Sequence, residues 1–361
     1  MKKSFLIAAM AGLAFVGCTE SDLDKSVTSQ QAIRFNAPAV RPTTKAATEF
    51  GQTFDPAKDF NVFGTWFETT FNGFTNGKVY IDEATAEYDA NTWYPLNGGN
   101  YYYWPKNGSI TFSAYAPASV NMKAAATVGT NGLTFTDYVV SNADNSAMED
   151  VLFSERAYDK TASVGSGTPY EGVDIRFRHA LASIVFNAKL KEAYTGTNVT
   201  IKGISLSGVE SKATFNQNLD NANGATTKLP DGTGTSGNAA AWVGAGEKVT
   251  YTVDNADELL TTSAFYFCTN STAAPDYTGY YRNSDLLLIP QNLDGVKLTI
   301  DYTIKSTGGE EIAQQHVVTY DSSSKWDIGY RYIYNIQISF DPINLNPIVE
   351  VFVDANGDIA I

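Results

Sequence analysis

Cysteine is nearly absent: the 361 residues hold two, Cys18 and Cys268. That excludes a disulfide framework, and with only two histidines, His179 and His316, it excludes a zinc site of Cys and His pairs. Positive charge is scarce as well. Lys and Arg number 25 against 39 Asp and Glu, giving a net charge of −14 and no basic cluster. A chain this acidic repels phosphate backbones, so nucleic-acid binding is excluded. Long apolar runs are missing too, since none reaches the roughly 20 residues that a membrane-spanning helix needs. No phosphate-cradling Gly-rich loop is present.

What remains is rich in strand formers. Aromatics make up 13% of the chain, with 21 Tyr and 20 Phe, and 29 Gly supply turns. Hydrophobic residues at 43% and charged residues at 18% describe a folded chain. The length suits two domains of ordinary size. Short alternating runs separated by turn residues, with no repeat at 20 to 50 residues, predict an all-β protein of two β-sandwich domains.

The first 46 residues read as devices in series. Lys2 and Lys3 precede an apolar run from Phe5 to Val16, as in a secretory signal occupying residues 1–17. Phe15-Val16-Gly17-Cys18 resembles the bacterial lipobox, which implies cleavage before Cys18 and acylation there. Two or three acyl chains at about 0.8 kcal/mol per buried CH₂ hold stably to an outer membrane. Loss of Lys2 and Lys3 takes the net charge to −16. With Cys18 acylated, Cys268 has no disulfide partner and reads as a buried thiol. Residues 18–46 form a unit: a polar tether, then Ile33, Phe35 and Ala37 alternating with Arg34 and Asn36, the period-2 mark of a half-buried strand. Pro38 and Pro42 bracket a loop that carries Arg41 and Lys45, open to a protease.

Strand patterns then follow from Phe60 onward, with Asn107-Gly108 as a tight hairpin turn before Ile110, Phe112 and Ala114. Residues 118–147 carry no clear period. The Gly/Ser/Thr-rich stretch 159–172 marks the division into residues 47–170 and 171–361. Val173 to His179 alternates strictly and opens the second half. Residues 218–239 read as an exposed loop, and only Asn255 to Thr262 reads as a short helix. The last strong strands are Tyr330 to Phe340 and Ile348 to Val353.

Chemical constellations are weak. Glu310 and Glu311 follow Gly308-Gly309 and read as a solvated turn, not as a glycosidase pair. His179 and His316 sit in alternating strands without a nucleophile context. Asp354-Ala355-Asn356-Gly357-Asp358 opens like a calcium loop, but the sequence stops three residues later, short of the position where an EF-hand places its bidentate glutamate, and the Asn356-Gly357 turn explains the residues without a metal. Tyr101 to Trp104 form an aromatic cluster that either packs in a sheet or stacks on sugars. No cofactor, metal or catalytic residue is expected, and the chain reads as a non-enzyme.

Five segments in order resemble the fimbrillin-like (Mfa-like) pilin family of Bacteroidales. They are the lipobox with Thr44-Lys45-Ala46, Tyr102-Tyr103-Trp104-Pro105 with Ile110 to Pro117, Asp150-Val151-Leu152, Phe177-Arg178-His179-Ala180-Leu181, and Trp326-Asp327-Ile328-Gly329-Tyr330-Arg331-Tyr332. The resemblance implies two transthyretin-like sandwiches, export as a lipoprotein and a type V fimbrium at the cell surface. It implies removal of the first strand, Ile33, Phe35 and Ala37, by a trypsin-like protease. The cut would follow Lys45, before Ala46, where the family often has arginine, with Arg41 before Pro42 as the alternative. The vacated groove would accept a strand from another pilin subunit in a homopolymer, with anchor or tip subunits as further partners. The donor would be the C-terminal tail, Ile348, Val349, Val351 and Val353. The alternative role is a monomeric surface lipoprotein of the same fold: a tip adhesin, an anchor, or a module binding glycan or host protein.

Overall fold

The structure is a computed structural model that describes residues 31–36, 39–40, 52–53, 59–71, 73, 76–129, 132–142, 148–162, 172–217, 241–253, 257–263, 265–267, 286–340, 347–354 and 358–360. The chain is nearly all β, as its composition predicts. Four sheets account for the strands among the described residues.

The first sheet runs in the order Gln52–Thr53, Ala39–Val40, Arg176–His179, Leu152–Ser154, Ser109–Ala116, Phe60–Phe67, Lys78–Asp89, Thr92–Asn97 and Asn100–Tyr101, with Ala157–Lys160 also on Ser109–Ala116. Its centre is buried on both faces, which is why Ser109–Ala116 is buried at every position. One face contributes Phe60, Val62, Phe112 and Ala114 to a core of its own. The other turns Phe63, Tyr115 and Phe153 into the larger core of the molecule.

That larger core lies between the remaining sheets. Ala182–Leu190 pairs in parallel with Arg331–Phe340, and Pro347–Asp354 adds antiparallel to the latter. Thr197–Glu210 lies between Lys248–Val253 and Lys297–Ser306, and Glu311–Thr319 forms the edge. Alternate residues of these strands, among them Ile184, Phe186, Ile201, Leu206, Ile300 and Ile336, share the core.

The fourth sheet joins the two halves of the chain. Gly132–Val139 pairs with Ala126–Gly129 on one side and with Lys212–Asn216 on the other, and Ala241–Gly244 completes it. Phe135 stacks on Phe215 at 4.7 Å, and Phe215 meets Phe153 of the first sheet at 5.0 Å. Arg176–His179 comes from beyond the 170/171 division yet hydrogen-bonds into the first sheet, next to Leu152–Ser154.

Two local expectations are corrected. The short helix read over Asn255 to Thr262 is absent from the described residues of that stretch, 257–262: Asp257 takes φ 77°, and Glu258–Leu259 pairs with Thr200 and Ile201 as a strand. Sheet pairing outweighs the weak helical preference of that stretch. Conversely, a helix stands at Val120–Ala125, inside the aperiodic 118–147 stretch. Ser119 caps it by accepting from the Met122 N–H at 3.2 Å, and Met122 is fully buried.

Candidate functional site

Residues 31–36 occupy a slot in the first core. Ile33 and Phe35 are 0% exposed, while Arg34 and Asn36 between and after them are half-buried. The alternation read in the sequence is therefore a real in-and-out pattern.

The segment is gripped on both sides. On one side it runs antiparallel to residues 93 and 103. The Ile33 N–H donates to the Tyr102 carbonyl at 2.7 Å, Phe35 exchanges bonds with Trp93 at 2.9 and 3.2 Å, and the Trp104 N–H donates to Gln31 at 3.0 Å. On the other side it runs parallel to Val173, whose N–H donates to Arg34 at 2.8 Å and whose carbonyl accepts from Asn36 at 3.0 Å. Six backbone hydrogen bonds thus tie five residues of the segment to two separate walls. The Thr92 hydroxyl adds a bond to the Phe35 carbonyl at 2.6 Å, and the Asn36 amide one to Asp174 at 3.1 Å.

Each wall has a sequence cause. Ala90 and Asn91, at φ 47° and 68°, make the two-residue turn that presents Thr92 and Trp93. Gly172 stands at φ 108°, and a Cβ there would lie 2.7 Å from Asn36 Oδ1 and 3.1 Å from the Arg34 carbonyl oxygen. Only glycine lets the second wall approach this closely.

The floor is aromatic. The Phe35 ring meets Phe60 at 5.8 Å and Phe112 at 5.3 Å, both edge-on. Phe177 and Trp93 pack on Phe60, and Trp104 packs on Phe112. Of the Tyr101 to Trp104 cluster, Trp104 is buried in this floor while Tyr101 and Tyr103 are each 42% exposed. Burial, helped by the Asp82 charge, raises the Tyr102 hydroxyl pKa.

Of the strand residues expected from the sequence, Ile33 and Phe35 meet in the slot. Ala37, Cys18, Arg41, Lys45, Ala46 and Cys268 lie outside the described residues. The tail is placed elsewhere: Ile348, Val349, Val351 and Val353 stand opposite Ser339, Ile338, Ile336 and Tyr334, in a strand that lies between Arg331–Phe340 and Asp358–Ala360. Thr92, Trp93, Gly172 and Val173 were not singled out as site residues. Their signals were a turn followed by an aromatic pair, and the alternation that begins at Val173. His179 is buried and bonds Asp150 at 2.8 Å, and burial lowers the pKa of His316. Both histidines are sheet residues. Among the described residues no three His, Cys, Asp or Glu gather as a metal site, and no helix is long and apolar enough to cross a membrane.

Residues 44–353 match the profile of the family described as Fimbrillin-like. The chain belongs to the fimbrillin-like family. Among solved structures, this fimbrillin-like chain is similar to a fimbrial protein from Bacteroides vulgatus, at 17% identity over 90% of this chain and 99% of that one, with TM-score 0.48. It is also similar to the fimbrial anchor protein Mfa2 from Porphyromonas gingivalis, at 10% identity over 91% and 98%, with TM-score 0.35. A search of curated proteins finds no match. Membership makes this a fimbrial, adhesion-related protein.

Proposed function

We propose that the chain is a structural subunit of a cell-surface fimbrium, made as a precursor lipidated at Cys18 and held at the outer membrane. A trypsin-like protease cuts after Lys45, or after Arg41, and frees the strand of Ile33 and Phe35. The slot is then filled by a strand from a neighbouring subunit, and the tail with Ile348, Val349, Val351 and Val353 is this chain's own donor. The two halves, residues 47–170 and 171–361, serve as transthyretin-like sandwiches of a rod, and the protein performs no catalysis.

The observation that carries this reading is the double grip on residues 31–36. A strand bonded on both edges closes a sheet, and its departure opens six backbone groups and two apolar sites at once. Such a gap is an acceptor for strand addition. Lys45 lies nine residues beyond the segment, so one cut severs the strand from the body.

The test compares wild type with Lys45→Gln, and with the additional Arg41→Gln, in the producing bacterium. Wild type is expected in high-mass fimbriae that resist SDS, with a new N-terminus at Ala46. The double variant is expected to stay full-length and membrane-bound. Fimbriae built from chains that still carry Ile33 to Phe35 would refute the proposal and favour a monomeric lipoprotein.

A further inference from the structure

Whether a neighbour's strand fits the slot is decided by its two buried sites. Phe35 sits among rings: Phe60, Phe112, Phe177, Trp93 and Trp104 are each at most 3% exposed while it is in place. Ile33, two residues earlier, is wholly buried. Interiors pack as densely as organic crystals, so an aliphatic residue in place of the ring leaves a void, and a carboxylate in place of Ile33 buries a charge. A well-fitting donor therefore carries an aliphatic and an aromatic residue two positions apart.

This chain's own C-terminal segment lacks that pair. The single aromatic in residues 341–361 is Phe352. Its neighbours two positions away are Glu350 and Asp354, so Phe352 among the rings sends a carboxylate to the Ile33 site whichever way the strand runs. The opposite face offers Val349, Val351 and Val353, which is apolar but has no ring. Ile343 with Leu345 and Ile359 with Ile361 likewise have none. Two copies of a chain at net −14 also repel one another as they approach.

We propose that the slot selects an aliphatic-x-aromatic strand and that its partner is a different subunit, not a second copy of this chain. The proposal rests on the strand-exchange reading. It makes the chain a junction between unlike subunits, giving its tail to one kind and accepting a strand from another.

The test uses full-length protein nicked after Lys45 and three labelled peptides. One spans residues 30–38, one spans residues 346–361, and the third is that tail peptide with Val351→Phe, which creates an aliphatic-x-aromatic pair with Val349. The 30–38 peptide is expected to exchange into the slot, and the Val351→Phe peptide to bind at least about tenfold more tightly than the wild-type tail. Equal binding of the two tail peptides, or tighter binding of the wild type, overturns the selectivity while leaving strand exchange intact. If the 30–38 peptide itself fails to exchange, the slot is no acceptor, and both proposals fall.

Discussion

Replacing Phe35 with alanine tests the slot most directly. The ring is fully buried and touches Phe60 and Phe112 edge-on at 5.8 and 5.3 Å. Truncating a buried Phe to Ala costs about 3–5 kcal/mol, as lost transfer energy plus a cavity. That loss cannot exceed the free energy that holds residues 31–36 in place, because the segment detaches once the limit is reached. The effect is therefore local. Native-state hydrogen exchange at the amides of Ile33, Phe35, Trp93, Trp104 and Val173 is the assay. A loss of about 3 kcal/mol lowers their protection by roughly a hundredfold. The amides of Leu298 and Ile300, in the distant strand Lys297–Ser306, should keep theirs. Unchanged protection at Trp93 and Val173 would show that the segment is not held by its buried ring. An equal loss at Leu298 would show that the slot is not a separable unit.

Gly172→Ala places a Cβ 2.7 Å from Asn36 Oδ1 at φ 108°, so the second wall should loosen by about 1–3 kcal/mol, read as faster release of the strand from the nicked chain. Trp326→Phe removes the indole N–H that donates to the Tyr334 hydroxyl at 2.8 Å in the larger core. It should cost about 1–3 kcal/mol in urea unfolding without changing the exchange of residues 31–36. Alkaline pH should unfold the chain in a defined window. Burial raises the hydroxyls of Tyr302 and Tyr334 from the usual value near 10 to about 12, so the unfolded state releases those protons first. Stability is complete below pH 10 and falls between about pH 10 and 12, by up to about 1.4 kcal/mol per pH unit for each tyrosine. A flat circular-dichroism signal and constant urea midpoint across that range would contradict it.

Much of this architecture is legible in the residues. Ile33 and Phe35 advertise themselves by alternation, because a strand buried on one face must repeat every two positions. Asn107-Gly108 bends the chain, with Gly108 at φ 77°, but makes no hairpin: Ser109–Ala116 pairs with Phe60–Phe67 and Leu152–Ser154, not with the residues before the bend, because the partner is chosen by the sheet and not by the dipeptide. The walls of the slot are less legible. Val173 shares the alternation of Arg176–His179, but nothing local says that its partner lies at residues 34–36. Pairing between residues more than a hundred positions apart is set by the whole fold. The helix at Val120–Ala125 hid for a different reason: six residues are too few to show a 3.6-residue period, and its signal was the Ser119 cap. Asp257 reversed the opposite expectation through a backbone angle that sequence periodicity does not report.

The fourth sheet has a mechanical consequence. Because Gly132–Val139 from one half is stitched to Lys212–Asn216 from the other, and Phe215 is wedged against Phe135 and Phe153, the halves are not beads on a string. Tension applied between the two halves would load this seam as well as the covalent chain. The seam must tear before the halves separate, so the protein should stretch little under modest force and then yield abruptly.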